Sequence, residues 1–136
     1  MACSFCELSP ERNVVIEDGK LAYVMPSNPR LMKDHLLVVP KRHVANISEL
    51  SVEERNEIWD LILKFQKILL DTYTGCDIRQ HFRPFLKDSD VKVSHIHFHL
   101  LPRTFEDEYY TVCQINENKL WKFLSKKELE EIKNKF

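Results

Sequence analysis

The sequence predicts an α+β fold: short antiparallel strands gathered around one long helix. Three observations carry this. Ser94-His95-Ile96-His97-Phe98-His99-Leu100-Leu101 alternates polar and apolar residues, which is the period of an extended strand and not of a helix. Behind Ser51-Val52-Glu53-Glu54, the residues Ile58, Leu61, Ile62, Phe65, Ile68 and Leu69 repeat at helical spacing. Short apolar runs broken by turn residues, without alternating helical segments between them, favour antiparallel over parallel pairing.

Taken in order, Val14-Val15-Ile16 and Leu21-Ala22-Tyr23-Val24 flank Glu17-Asp18-Gly19-Lys20 and read as a β-hairpin around an Asp-Gly turn. Pro26-Ser27-Asn28-Pro29-Arg30 is a loop. Leu36 to Val39 is a continuous apolar run stopped by Pro40, the pattern of a buried strand. Ser51 and Glu54 form a capping box that opens the main helix, expected over about residues 52 to 73 and closed by Gly75. Asp77 to Phe85 reads as a strand ending near Pro84, and Lys87-Asp88-Ser89-Asp90 turns the chain back into the histidine strand. Residues 104–124 carry no clear period; Tyr109 to Val112 reads weakly as strand. Ser125-Lys126-Lys127-Glu128 starts a short capped helix that runs to about Asn134. At 136 residues the chain is one domain, 1–136, with a core over about 1–104 and a C-terminal extension over 105–136.

Composition narrows the function. A formal net charge of -1 gives no electrostatic reason to expect a nucleic-acid polymer or an anionic membrane as partner. Only two glycines occur, Gly19 and Gly75, so no glycine-rich phosphate loop can be built. A bound phosphate would have to be held by imidazoles, hydroxyls or helix N-termini. The N-terminal residues lack the basic start and apolar run of a signal peptide, and no stretch approaches the ~20 apolar residues of a membrane span. The four cysteines, Cys3, Cys6, Cys76 and Cys113, are expected as reduced thiols in the cytoplasm. Cys3 and Cys6 are candidate metal ligands; Cys76 and Cys113 read as packing residues.

Three imidazoles in register on one strand face repel one another when protonated, so a purely structural strand gains nothing from them. The run His95-Ile96-His97-Phe98-His99-Leu100-Leu101 resembles the His-φ-His-φ-His-φ-φ motif of the histidine triad family, φ being apolar. Asp34-His35-Leu36-Leu37-Val38-Val39-Pro40-Lys41-Arg42-His43 is similar to that family's Gly-His-x-Leu-Val-x-Pro-Lys-x-His segment, and Cys3-Ser4-Phe5-Cys6 to the Cys-x-x-Cys of its zinc-containing branch. The resemblance implies an open antiparallel sheet with the long helix packed on it, often paired into a two-fold homodimer. It implies a small nucleotide substrate, cleaved by hydrolysis or nucleotidyl transfer through a covalent nucleotidyl-histidine. In that scheme His97 is the nucleophile, His99 bonds a non-bridging phosphate oxygen, and His35 lies near the phosphates unless it is a plain core histidine. One structural Zn2+ per chain is implied on Cys3, Cys6, His43 and His95, a closed tetrahedral set.

Departures from the family pattern stand beside these matches. Asp90-Val91-Lys92 occupies the place of a phosphate-contacting Gly-Gln-Ser/Thr run, so Lys92, and Arg83 with it, is either a phosphate-binding charge or a solvated one. Asp34 replaces a glycine. The ribose-binding position falls on Ser27 or Asn28. Two further readings remain: a zinc-hydroxide hydrolase with His95, His97 and His99 as ligands, and a nucleotide-binding module without turnover.

Overall fold

In the computed structural model residues 3–136 are described; Met1 and Ala2, with which the expected domain begins, lie outside the described residues. The chain divides into two compact units, Met1–Phe105 and Glu106–Phe136.

The first unit holds a five-stranded antiparallel sheet in the order β1-β2-β3-β5-β4. Its strands are β1 (Glu17–Asp18), β2 (Ala22–Pro26), β3 (Leu36–Pro40), β4 (Gly75–Arg79) and β5 (Phe98–Arg103). Helix α1 (Val52–Leu70) opens on the expected capping box: Ser51 Oγ accepts from the Glu54 amide and Glu54 Oε1 from the Ser51 amide. Its apolar stripe, Ile58, Leu61, Ile62, Phe65 and Leu69, packs against Ala22, Val24, Leu36, Val38, Ile96 and Leu100 to form the main core. Alternation sends the next residues of the same strands, Tyr23, Met25, Leu37 and Val39, to the opposite face, where Phe5 and Leu8 cover them. One face of the sheet therefore carries the helix, and the other carries the N-terminal segment.

Several boundaries differ from expectation for local reasons. The first strand is Glu17–Asp18 and Val14, Val15 and Ile16 are exposed, because the turn is one of Gly19, Lys20 and Leu21. A Cβ at Gly19 would lie 2.6 Å from the Ala22 carbonyl, and Glu57 Oε2 accepts from the Leu21 and Ala22 amides at 2.6 and 2.5 Å. Helix α1 stops at Leu70, before the predicted end at 73. Strand β4 stops at Arg79, not Phe85, and the chain from Gln80 to His97 is irregular, so regular pairing of the histidine strand begins only at Phe98.

In the second unit Tyr109 to Val112 is helical, not a strand. Helix α2 (Glu108–Val112) is capped by Asp107 Oδ1, which accepts from the Tyr110 amide. That short cap outweighs the β propensity of Tyr-Tyr-Thr-Val. A 3-10 turn covers Gln114–Lys119, and α3 (Lys126–Lys135) opens on a Ser125/Glu128 capping box close to the predicted bounds. Among the described residues no helix is long and apolar enough to cross a membrane.

Candidate active site and metal centre

Antiparallel pairing places residues opposite one another on a common face. Met25 lies opposite Leu37, Leu37 opposite His99, and His99 opposite Arg79. This row floors a cavity of about 380 Å³. Its walls include Phe5 and Asn13 from the N-terminal segment, Ser27, Asn28 and Leu31 from the β2–β3 loop, and His35, His81, Arg83 and His97. The volume is in the range of small-molecule sites.

The hydrogen bonds around the histidines assign their protons. The Leu31 amide donates to His35 Nδ1 at 3.1 Å, so His35 carries its proton on Nε2. That proton points at His99 Nδ1, 2.9 Å away. His99 accepts there and keeps its own proton on Nε2. His97 Nδ1–H donates to the His95 carbonyl at 2.8 Å, which leaves the lone pair on Nε2. His95 Nε2–H donates to the Pro40 carbonyl at 2.7 Å, which leaves its lone pair on Nδ1. Burial pushes the pKa of all three triad histidines down. Burial first, then Arg79 and His97, takes His35 to about 4, and burial first, then His97, His35, Arg79 and His81, takes His99 to about 2.

Asp34 shows why a non-glycine residue is tolerated before His35. Its φ is 63°, the left-handed region that asparagine and aspartate enter more readily than other side chains, and its Oδ2 accepts from the Tyr73 hydroxyl at 2.6 Å.

His95 Nδ1 faces Cys3 Sγ at 3.3 Å and Cys6 Sγ at 3.4 Å, and His43 Nδ1 lies 3.5 Å from Cys6 Sγ. All four ligand atoms lie within 4.8 Å of one another. A tetrahedral zinc with ordinary Zn–S and Zn–N bonds separates sulfur from nitrogen by about 3.6 Å, so these side chains fit the ion. His95 is fully buried and oriented by Pro40, as a ligating histidine is by its second hydrogen bond. Next to His43 in the chain, Arg42 clasps the Glu54 carboxylate at 2.7 and 3.2 Å and holds its pKa down to about 2. Among the described residues this is the one convergent group of three or more such ligands, and all four cysteines are free thiols.

The other predicted residues fall as follows. Ser27 and Asn28 line the cavity, but Ser27 Oγ donates to the Pro29 carbonyl and Asn28 Nδ2 to the Arg12 carbonyl. Lys92 lies on a second, smaller cavity that also touches His97 and His99. Its Nζ donates to Asp88 Oδ1 at 3.0 Å and Ser94 Oγ at 2.6 Å. Sequence reading passed over Arg79, His81 and Phe5. Arg79 is found only by register, since it ends β4 and falls opposite His99 on the adjacent strand β5. His81, in the irregular segment, has its ring 5.8 Å from that of His99. Phe5 lies between the two cysteines, edge-on to His97 at 5.0 Å and to His95 at 6.0 Å.

Alternate histidines leading into a strand of an open antiparallel sheet backed by one long helix define the histidine triad class. Residues 1–106 match the family model described as "Protein similar to CwfJ C-terminal". An uncharacterized HIT-like protein of Methanocaldococcus jannaschii is 30% identical over 74% of this chain and 78% of its own. The adenosine 5'-monophosphoramidase of Schizosaccharomyces pombe is 28% identical over 79% and 78%. A bis(5'-adenosyl)-triphosphatase of Dictyostelium discoideum is 25% identical over 62% of this chain, which spans only 56% of that relative's length. Among solved structures, a HIT family member from Bacillus subtilis superposes with a TM-score of 0.72 at 19% identity, over 99% of this chain and 94% of that one. A zinc-bound histidine triad family protein from Mycobacterium smegmatis does so with 0.65 at 20% identity, over 79% and 78%. The chain belongs to the histidine triad family and to the family of proteins similar to the CwfJ C-terminal region.

Proposed function

We propose that this protein is a nucleotidyl hydrolase or transferase that cleaves a nucleoside phosphate derivative through a covalent nucleotidyl-His97 intermediate. One observation carries the reading: the hydrogen bonds leave His97 Nε2 with its lone pair and His99 Nε2 with its proton, on adjacent rings lining one cavity. A neutral imidazole is a competent nucleophile near pH 7. Its lone pair attacks phosphorus, and the bond from phosphorus to the leaving group breaks with its electron pair on the departing atom. Water or another acceptor then attacks the same phosphorus. The P–N bond breaks, its electrons return to Nε2, and the acceptor's proton passes to solvent. His99 donates to a non-bridging oxygen, where charge develops. His35 holds His99 in the tautomer that can donate. Ser27 and Asn28 contact the ribose, and Lys92 the departing group.

Cys3, Cys6, His43 and His95 hold one structural Zn2+ in this reading. The ion supplies folding free energy and ties the N-terminal segment to the strand beside His97. The triad itself does not converge on a metal: His95 Nδ1 faces the cysteines while His97 and His99 turn Nδ1 to the His95 carbonyl and to His35. That geometry disfavours the zinc-hydroxide alternative. The site lies wholly within residues 3–105, and residues 106–136 extend the same domain. Four free thiols suit a cytoplasmic setting, and β4, an edge strand, suits pairing into a homodimer.

The test is mass spectrometry of protein quenched during turnover with adenine nucleotides that differ in leaving group. A nucleotidyl mass on the His97 peptide is expected. Turnover without any adduct, or an adduct elsewhere, would overturn the mechanism; binding without turnover would favour the non-catalytic module.

A further inference from the structure

We propose that the smaller cavity is a dedicated leaving-group site for a phosphate monoester with an apolar, aromatic body. The inference rests on the nucleotidyl-His97 reading and says what departs in its first step.

The cavity measures about 230 Å³ and shares His81, Arg83, Val91, Val93, His97 and His99 with the larger one, so a phosphorus at His97 Nε2 stands at the junction of the two. The larger cavity is lined by the ribose candidates Ser27 and Asn28. The irregular segment between Gln80 and Ile96 borders both cavities, but Phe82, Pro84, Leu86, Lys92 and Ser94 from it border only the smaller.

The two linings differ in chemistry. Glu7 and Asp90 border the larger cavity, whereas no carboxylate residue borders the smaller. Arg83, Val91 and Val93 line both cavities; Lys92 adds a positive charge, and Phe82 and Leu86 an apolar wall, to the smaller one alone, while Arg12, Arg30 and Arg79 border only the larger. A site with cations, no acid and an apolar wall selects an organic anion over a free amine or a bare inorganic anion.

Lys92 is fixed for this task. Its ammonium has three donors. Two are taken by Asp88 Oδ1 and Ser94 Oγ, and Ser94 Oγ in turn donates to Asp88 Oδ1 at 2.5 Å. The cluster pins a long, entropically costly side chain in place before any ligand arrives, leaving one N–H for a phosphate oxygen. The Asp88 carboxylate, held below its usual range by its bonds to Ser94 and Lys92, stays ionised behind the ammonium. Phe82, half exposed at 52%, offers a face on which a flat ring can stack.

The chemistry of departure agrees. A phosphate leaves with the P–O electron pair as an anion and needs no proton from the enzyme, whereas an amine of high basicity does. The His99 proton is aimed at the non-bridging oxygen. His81 Nε2 faces an Arg83 guanidinium N–H at 3.4 Å. Burial and the two arginines lower its pKa, so it is poorly suited to protonate an amine.

Two measurements test this. In the first, phenyl phosphate is titrated into protein saturated with AMP and followed by NMR or calorimetry. Saturable binding with AMP still bound is expected, at least about tenfold tighter than inorganic phosphate, the increment of a stacked ring, and than benzylamine, the increment of one charge-assisted hydrogen bond. Displacement of AMP, or binding no tighter than inorganic phosphate, would overturn the leaving-group site without touching the His97 reading. In the second, kcat/KM is compared for AMP joined to a nucleoside phosphate and AMP joined to an alkyl amine. Lys92→Gln and Phe82→Ala should each lower the ratio of the two by about tenfold. A ratio that stays fixed while His97 adducts still form would sink the leaving-group proposal alone. Absence of adducts with both substrates would sink the His97 reading instead.

Discussion

Acid should destabilise this protein through the His35–His99 pair, and the size of the loss follows from the geometry. His35 is buried between the Leu31 amide and His99, with His97 and Arg79 as the charges that face it. Its pKa falls from the ordinary 6.5 to about 4. The unfolded chain therefore binds a proton that the folded chain refuses, and stability drops with falling pH. The loss begins near the unfolded pKa of 6.5 and continues until the pH reaches about 4. Between about pH 7.5 and about pH 5 His35 alone should cost on the order of 2 kcal/mol. The perturbation is His35→Gln, an amide that can still donate to His99 but does not titrate. The assay is urea unfolding of wild type and variant at both pH values. The variant should lose at least about 1 kcal/mol less than wild type on acidification. Any acid-induced loss of metal from the four-ligand cluster is common to both proteins, so it cancels in the comparison. Equal losses in the two proteins would refute the buried, neutral assignment of His35.

Three other outcomes are expected. His97→Asn should keep the fold and bind nucleotide within a few-fold while losing turnover; substantial residual turnover would count against covalent catalysis. Cys6→Ser should lower zinc content and melting temperature together, by about 10 °C or more if several kcal/mol of metal binding are lost; full zinc occupancy in a Cys3/Cys6 double mutant would reject the ligand set. The acid limb of kcat/KM should fall at or below the pKa of free imidazole, since burial pushes His97 down. It should not move when cobalt replaces zinc, because the ion is no part of the chemistry; a limb that tracks the metal would favour the hydroxide reading.

How far the sequence could be read followed the range of the forces involved. The stripe of α1 is a local periodicity that burial turns directly into a face, whereas the alternation at His95, His97 and His99 becomes regular strand only from Phe98, with His95 turned to the cysteines and His97 and His99 to the cavity. The two cysteines, His43 and His95 were readable as a set through the resemblance to the zinc-containing branch, with which their ligand chemistry agrees. Arg79 was not readable, since its place beside His99 depends on the register of β4 against β5, set by the whole sheet. His81 and Lys92 lie in a segment with no period, so nothing in the pattern shows which way their side chains turn. Tyr109 to Val112 was misread because four strand-loving residues hid the one aspartate, Asp107, whose cap decides for a helix.

Phe5 carries a consequence beyond its packing. The turn from Cys3 to Glu7 supplies two sulfur ligands, and the ring between them borders both the nucleophile and the larger cavity. The Phe5 carbonyl accepts from the Tyr23 hydroxyl at 2.8 Å, which moors the same turn to β2. On the proposed function, ion and nucleotide would share one wall, and two ligands that order the same segment would not bind independently. Whatever affinity a metal lends to the nucleotide, the nucleotide returns to the metal in equal measure. A cell short of zinc would hold a protein weakly primed for its substrate, and a cell rich in substrate would hold one slow to surrender its zinc.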